Sequence, residues 1–193
     1  MGDFDIGIPS DAPDIEQVTS VDEGTEHLRS KIDDLIAAVS GTIVSCPVLP
    51  IEIPGITAAD ALDANDCMGT LFTIDVPKRG VIISATFWDM DDEGTQVDFE
   101  IFKHSVIDTA NDAAFAPTDA DLLEFITELA FFAFDDHGTG QTSDIKNIGK
   151  AYSAPEGKFY IKAVTRSTPT IAAGNVPRLQ LQIQSFDSDF KEA

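Results

Sequence analysis

The sequence contains few basic residues and no long apolar stretch. Twelve lysine and arginine residues stand against 34 aspartate and glutamate residues, which gives a net charge of −22 over 193 residues. A surface this acidic repels phosphate backbones and anionic lipids, so we expect neither nucleic-acid binding nor membrane binding. No run of about 18 apolar residues is present, and the acidic N-terminus lacks the basic start of a signal peptide. We therefore expect synthesis in the cytosol without export by a signal peptide.

Recognised motifs of metal and catalytic sites are also missing. Cys46 and Cys67 do not have the spacing of metal ligands, and in a reducing cytosol we expect both to be buried free thiols. His27, His104 and His137 are scattered along the chain and form no metal-binding pair. The sequence has no nucleophile-elbow, phosphate-loop or dinucleotide motif. We therefore expect no enzymatic activity and no cofactor.

Short segments of alternating apolar residues fill the chain from residue 68 onward. They are separated by Gly, Pro and Asp turns, a pattern that predicts antiparallel strands with one buried face. The predicted strands are 71–76, 81–87, 97–101, 130–134, 145–152, 158–165 and 178–186, with a short helical turn before the fourth, at 122–129. The fold class that we expect is mainly β: an antiparallel β-sandwich with an N-terminal extended arm and one amphipathic helix.

Residues 1–24 form an acidic segment that contains several Pro and Gly residues. Such a segment cannot bury enough apolar surface to order itself alone. Two interpretations remain open, a disordered tail and an arm that folds against a partner. The residues that an arm would use for docking are Phe4, Ile6, Ile8, Ile15 and Val18.

Two further segments precede the predicted sandwich domain, which we expect to span residues 68–193. Residues 25–41 predict an amphipathic helix, and we interpret its apolar stripe as a face that packs in a core. The residues of the stripe are Leu28, Ile32, Leu35, Ile36 and Val39. Residues 42–67 contain three prolines, each of which removes a backbone donor, so we expect an extended connector or an edge strand there.

Residues 80–102 show the clearest strand-turn-strand pattern, and we interpret them as the central hairpin of the sandwich. On one face of its two arms the apolar residues are Val81, Ile83, Ala85, Phe87, Val97, Phe99 and Ile101. The acidic residues between and after the arms also approximate a twelve-residue calcium loop, with Asp89, Asp91, Glu93 and Glu100 as ligands. We favour a turn that faces solvent, because an EF-hand loop is flanked by helices. A weak Ca²⁺ site at these four residues is the alternative.

Four stretches, taken in order, resemble virion structural proteins of tailed bacteriophages. They are ISATFWDMDDEGTQVDFEIF (83–102), TANDAAFAPTDADL (109–122), AYSAPEGKFYIKAV (151–164) and TPTIAAGNVPRLQLQIQ (168–184). The resemblance covers residues 68–186 and does not extend to the arm or the helix. Asn111-Asp112 reverses the order of these two residue types in the family pattern.

The resemblance implies a jelly-roll-like β-sandwich that decorates and stabilises the outer surface of a phage capsid. The implied partners are the major capsid protein and copies of the chain itself, commonly as trimers, and the implied location is the virion, assembled in the host cytoplasm. The family supplies no catalytic residues. Two other functions remain open: a tail or baseplate component, and a calcium-assisted carbohydrate-binding module. The module would use Asp89, Asp91 and Glu93 together with Trp88 or Tyr152.

Overall fold

The computed structural model describes residues 24–32, 41–56, 60–187 and 190 of the chain. The chain divides into two compact units, Met1–Ser40 and Gly41–Ala193. Neither helix of the described residues is long and apolar enough to cross a membrane.

In the first unit, residues 24–32 form helix α1. Leu28 and Ile32, on the predicted apolar stripe, are 63 % and 54 % exposed. The rest of the stripe and the predicted docking residues of the arm lie outside the described residues; these are Leu35, Ile36 and Val39 of the stripe, and Phe4, Ile6, Ile8, Ile15 and Val18 of the arm.

The described part of the second unit contains twelve strands and one short helix, α2 (Asp119–Leu122). The strands are β1 (Thr42–Glu52), β2 (Asp60–Ala61), β3 (Cys67–Asp75), β4 (Arg79–Asp89), β5 (Val97–Phe102), β6 (Phe125–Phe131), β7 (Asp135–Asp136), β8 (Gln141–Ile145), β9 (Lys150–Ser153), β10 (Lys158–Thr165), β11 (Thr170–Ile171) and β12 (Arg178–Ser185).

The strands form two main antiparallel sheets. The six-stranded sheet has the order β1-β12-β4-β8-β7, and β9 pairs with the first part of β4. The four-stranded sheet has the order β3-β10-β5-β6, and β2 pairs with β11 in a separate ribbon. The alternation of apolar and polar residues in the sequence predicts many short antiparallel strands, and the structure contains them.

The core lies between the inner faces of the two sheets. Phe87 of the six-stranded sheet contacts Phe99 and Phe131 of the four-stranded sheet, with ring centroids 5.5 and 5.6 Å apart. Along β12, the alternating residues Leu179, Leu181 and Ile183 are fully buried. The predicted fold class, a mainly β protein with an antiparallel sandwich, is confirmed. The jelly-roll connectivity stays a prediction.

The predicted hairpin at 80–102 is wrong. β4 pairs with β12, β8 and β9, whereas β5 pairs with β10 and β6, so the acidic segment between β4 and β5 connects the two sheets. Each strand buries one face against the other sheet, and the period-2 pattern is therefore the same as that of a hairpin. Sequence alternation alone does not distinguish the two arrangements.

A bulge in β4 changes which of its residues face the core. Gln182 of β12 pairs with Ser84 while the next residue pairs with Ile82, so Ile83 is the extra residue. Ala85 and Phe87 are buried as predicted, but Ile82 replaces Val81 and Ile83 in the core. In β5 the predicted buried residues Val97, Phe99 and Ile101 are confirmed.

Residues 42–67, expected to be a connector or an edge strand, belong to the compact unit that begins at Gly41. β1 is one edge strand of the six-stranded sheet, and its register against β12 shifts between Cys46 and Ile51. Two prolines lie in this irregular stretch, where the missing donors do not interrupt the sheet. The side-chain amide of Gln180 donates to the Pro47 and Val48 carbonyls, at 3.0 and 2.8 Å. The edge-strand interpretation is confirmed, and the domain boundary moves to Gly41.

The predicted helical turn and strand at 122–134 are present in the expected order but earlier in the chain. The helical turn is α2, and β6 already begins at Phe125. Thr118 accepts a hydrogen bond from the Asp121 amide, and the Asp121 carboxylate accepts one from the Thr118 amide, which completes a capping box. The remaining strand predictions agree with β3, β10 and β12, while the segment 145–152 is divided between β8 and β9. Both cysteines are buried and form no disulfide, as predicted.

Candidate functional site

The acidic loop, defined here as Asp89, Asp91 and Glu93, closes on itself through backbone hydrogen bonds. Asp89 is the last residue of β4 and is only 4 % exposed. Its two carboxylate oxygens accept the amide hydrogens of Asp91 and Gly94, at 3.0 and 2.7 Å. Gly94 has φ +59°, a conformation that glycine adopts without strain. A buried carboxylate that accepts two hydrogen bonds from backbone amides stabilises the tight turn between the sheets.

The other two carboxylates of the acidic loop bind the segment around β11. Asp91 accepts hydrogen bonds from the Ala172 amide and from the Asn175 side-chain amide, each at 2.6 Å. Glu93 accepts one from the Thr170 amide at 3.3 Å. These carboxylates tie the loop between the sheets to the chain segment that leads into β12.

The four predicted calcium ligands do not come together. In the residues that the structure describes, no group of three or more His, Cys, Asp or Glu side chains is arranged to hold a metal ion. Asp89, Asp91 and Glu93 accept hydrogen bonds within the protein, whereas Glu100 lies on β5 and contacts other residues.

Glu100 belongs to a second acidic group, which we name the strand carboxylate cluster: Asp98, Glu100, Glu128 and Arg166. Asp98 and Glu100 alternate along β5 with buried apolar residues, so both point to the outer face of the four-stranded sheet. Glu128 of β6 lies directly opposite Glu100 in the antiparallel pairing. Arg166 follows the last residue of β10 and donates its backbone amide to the Gln96 carbonyl at 2.9 Å.

One guanidinium group contacts all three carboxylates of this cluster. Arg166 forms a short charge-assisted hydrogen bond from Nε to Oδ2 of Asp98, whose side chain is 4 % exposed. Its Nη2 lies 3.6 Å from a carboxylate oxygen of Glu100 and 3.6 Å from one of Glu128. Its Nη1 donates to Oδ1 of Asn65 at 3.1 Å.

Glu100 and Glu128 face each other across the pairing of β5 with β6. Burial raises the pKa of Glu100, and the neighbouring Glu128 carboxylate, as a negative charge and as a hydrogen-bond partner, raises it further, to about 7. Arg166 lowers it by a smaller amount. A carboxyl group that titrates near neutral pH is typical of a site with a function, although structural clusters show it too.

Next to this cluster, the segment 108–115 covers the free edge of β3. The Asp108 carboxylate accepts the Leu71 amide at 2.8 Å, and Oδ1 of Asn111 accepts the Gly69 amide at 2.7 Å. The buried Lys162 donates to the Gly69 carbonyl at 2.9 Å and to the Thr109 carbonyl, and its Nζ lies 3.4 Å from Asp108. The side chains of Asp108, Asn111 and Lys162 thus bind backbone groups of β3, an edge strand that would otherwise be open to pairing with another chain.

Beyond this cover the chain exposes apolar side chains, which we name the α2 surface: Ile107, Leu122, Leu123 and Phe125. They are between 40 % and 77 % exposed, and Leu123 is the most exposed of them. The Ile107 amide lies 3.4 Å from the Asp121 carboxylate, which places this residue beside α2. The Phe125 ring packs edge-on against Phe102 at 5.7 Å. Large apolar side chains that an ordered segment exposes to solvent are typical of a protein contact surface.

The aromatic residues of the carbohydrate-binding alternative do not form an open platform. Tyr152 packs against Phe159 with ring centroids 4.6 Å apart, and its hydroxyl is buried. Burial raises the pKa of this hydroxyl far above its ordinary value. Trp88 is half-buried on β4.

The histidines within the second unit lie apart from each other. Nδ1 of His104 is 2.9 Å from Glu156, and Nε2 of His137 is 2.9 Å from the Thr142 hydroxyl. The Tyr160 hydroxyl donates to Glu156 at 2.6 Å, and this bond together with that of His104 lowers the pKa of Glu156.

Sequence reasoning missed Asp98, Glu128 and Arg166. The signal for Asp98 was its place between buried residues of a strand, but Glu128 and Arg166 reach the cluster only through strand pairing. The chain matches no protein-family model, and no curated protein matches it.

Proposed function

We propose that the protein is a non-enzymatic virion structural protein that decorates and stabilises the outer surface of a phage capsid. Its partners in this proposal are the major capsid protein and copies of itself, assembled in the host cytoplasm. The proposal starts from the order of the four stretches that resemble tailed-phage virion proteins. Their antiparallel β-sandwich is consistent with a building block that acts through its surfaces.

The α2 surface is the observation that carries the proposal. It overlaps the segment 109–122, one of the four resembling stretches, at Leu122, and it exposes Leu122 and Leu123 next to a capping box. A rigid apolar projection of this kind supplies the buried anchor that protein interfaces need. The acidic exterior is suited to the outside of a capsid, because a net charge of −22 disfavours contact with packaged DNA.

The N-terminal arm is the second contact in the proposal, on sequence grounds alone. Its apolar residues Phe4, Ile6 and Ile8 alternate with polar or small residues, as in a strand that adds to a neighbouring sheet. Docking of such an arm would extend the interface beyond one face of the sandwich, and several weak contacts on one particle would act together.

The test is binding of the purified protein to capsids of its own phage assembled without it. We expect the native protein to bind in hundreds of copies per particle, and Leu123→Asp to weaken binding about 10-fold or more because it places a charge at the contact. Leu49→Asp is the matched control, because Leu49 on β1 is also 77 % exposed.

Four results would count against parts of this proposal. Failure of the native protein to bind refutes capsid decoration, and a few copies per virion would indicate a tail or baseplate component. Equal loss with both aspartate variants would remove the α2 surface from the interface. Binding that is unchanged after deletion of residues 1–24 would remove the arm.

A further inference from the structure

The strand carboxylate cluster holds more negative than positive charge. Asp98, Glu100 and Glu128 meet at one guanidinium, and among these carboxylates Arg166 donates a hydrogen bond to Asp98. Its 3.6 Å separations from Glu100 and Glu128 are ion-pair contacts without a hydrogen bond. With all three carboxylates ionised, the two glutamates would face each other across neighbouring strands with one shared, incomplete counter-charge.

The other charged groups on the packed elements do not balance this excess. Lys162 of β10 lies opposite Glu100 in the strand register, but its Nζ binds the Gly69 and Thr109 carbonyls and lies beside Asp108. Before the start of β6, Lys103 pairs with Glu124 at 3.4 Å, and His104 lies between Glu124 and Glu156. In the described part of the chain, Arg166 is the cation that pairs with Glu100 and Glu128.

We propose that Glu100 and Glu128 share one proton in the folded protein, and that loss of this proton loosens β6 from β5. In this proposal the shared proton supplies a hydrogen bond between the two carboxyl groups and removes one of the two facing charges. When it leaves, two carboxylates repel each other across the pairing with β5, which among the described strands is the one that holds β6 in the four-stranded sheet. The pair therefore works as a proton-controlled latch on an edge strand, independently of the proposed function.

The direction of the pH dependence follows from proton binding in the two states. The pKa of Glu100 is about 7 in the folded protein, compared with an ordinary value of 4.5. Between these pH values the closed state binds more protons than an open or unfolded state, so its stability falls as pH rises. The stabilisation is complete below about pH 4.5 and is lost as pH rises through about 7.

The experiment is native-state hydrogen exchange of the full chain, read out as protection factors of the β6 amides at pH 5.5 and pH 8. We expect protection in β6 to fall about 10-fold or more over this range, because one unit of pKa difference changes an equilibrium tenfold. The variant Glu128→Gln should remove this dependence, since an amide donates to Glu100 without a shared proton.

The matched control is His104→Gln, because histidine side chains also change charge in this pH range and His104 lies close to the start of β6. This variant should keep the dependence. A β6 protection profile that keeps the native pH dependence in Glu128→Gln, or loses it in His104→Gln, overturns the proposal. Carboxyl ¹³C shifts of the native protein give a second readout that no variant can confound: Glu100 must titrate near neutral pH, and titration of Glu100 near its ordinary pKa of 4.5 overturns the latch.

Discussion

The acidic loop and the strand carboxylate cluster contain three carboxylates each, and two of the cluster carboxylates follow the loop within a few residues on β5, but the two groups stabilise negative charge differently. In the acidic loop, neutral N–H groups surround Asp89, Asp91 and Glu93, and most of them come from the backbone. In the strand carboxylate cluster, Glu100 and Glu128 face each other and share one guanidinium with Asp98.

Backbone pairing explains the difference. Residues of β5 pair with β10 on one side and with β6 on the other, so their backbone amides are used in the sheet and cannot donate to side chains. Between β4 and β5 the chain has no strand partner, and its amides are free to donate to carboxylates. Amide donors stabilise an ionised carboxylate without a cation, whereas a facing carboxylate favours protonation. A high local density of acidic residues therefore does not by itself predict a cation site or a raised pKa.

The largest expected effect comes from removing the one cation of the strand carboxylate cluster. Arg166→Ala leaves Asp98 buried without its partner, which costs about 3 kcal/mol of unfolding free energy when a buried pair is broken. Urea denaturation at pH 7 measures the loss. Arg166→Lys keeps the charge but not the planar fork that spans three carboxylates, so it should lose less. A loss below about 0.5 kcal/mol for Arg166→Ala would mean that the cluster tolerates its charge without a cation.

A smaller loss is expected when a carboxylate of the acidic loop is removed. Asp89→Ala leaves the Asp91 and Gly94 amides without their acceptor, and unsatisfied donors of this kind cost about 2 kcal/mol. Denaturation at pH 7 again measures the change, with the exposed Asp63→Ala as control, expected to remain within about 0.5 kcal/mol of the native protein. If Asp89→Ala behaves like Asp63→Ala, the loop does not depend on its internal acceptors.

The sequence predicted the strands well and their partners poorly. Alternation located β3, β10 and β12 because each strand buries one face, and a buried face shows directly in the sequence. The partner of a strand does not show there: β4 and β5 have the pattern of a hairpin, but they lie in different sheets. The bulge at Ile83 was equally hidden, because an extra residue changes the phase of the strand without a change in composition.

The strand carboxylate cluster shows the same limit for a site. Glu100 was identified, but as part of a calcium motif defined by spacing along the chain. Glu128 and Arg166 reach it through the pairing of β5 with β6 and β10, which brings together residues distant in sequence. Only the register of those strands places two glutamates opposite each other, so neither the pair nor its raised pKa could be predicted locally.

The smallest expected effect is that of calcium on the acidic loop, where we expect no measurable change in melting temperature at millimolar Ca²⁺. Calcium needs six to eight converging oxygens, and the oxygens of Asp89 and Asp91 already accept hydrogen bonds from Gly94, Ala172 and other donors. Calcium binding would have to break those hydrogen bonds, which are stronger than the hydrogen bonds that the carboxylates would form with water. Thermal unfolding with Ca²⁺, and with Mg²⁺ as the ionic control, measures the shift. A rise specific to Ca²⁺ that Asp91→Ala abolishes would show that the loop exchanges its internal donors for a cation.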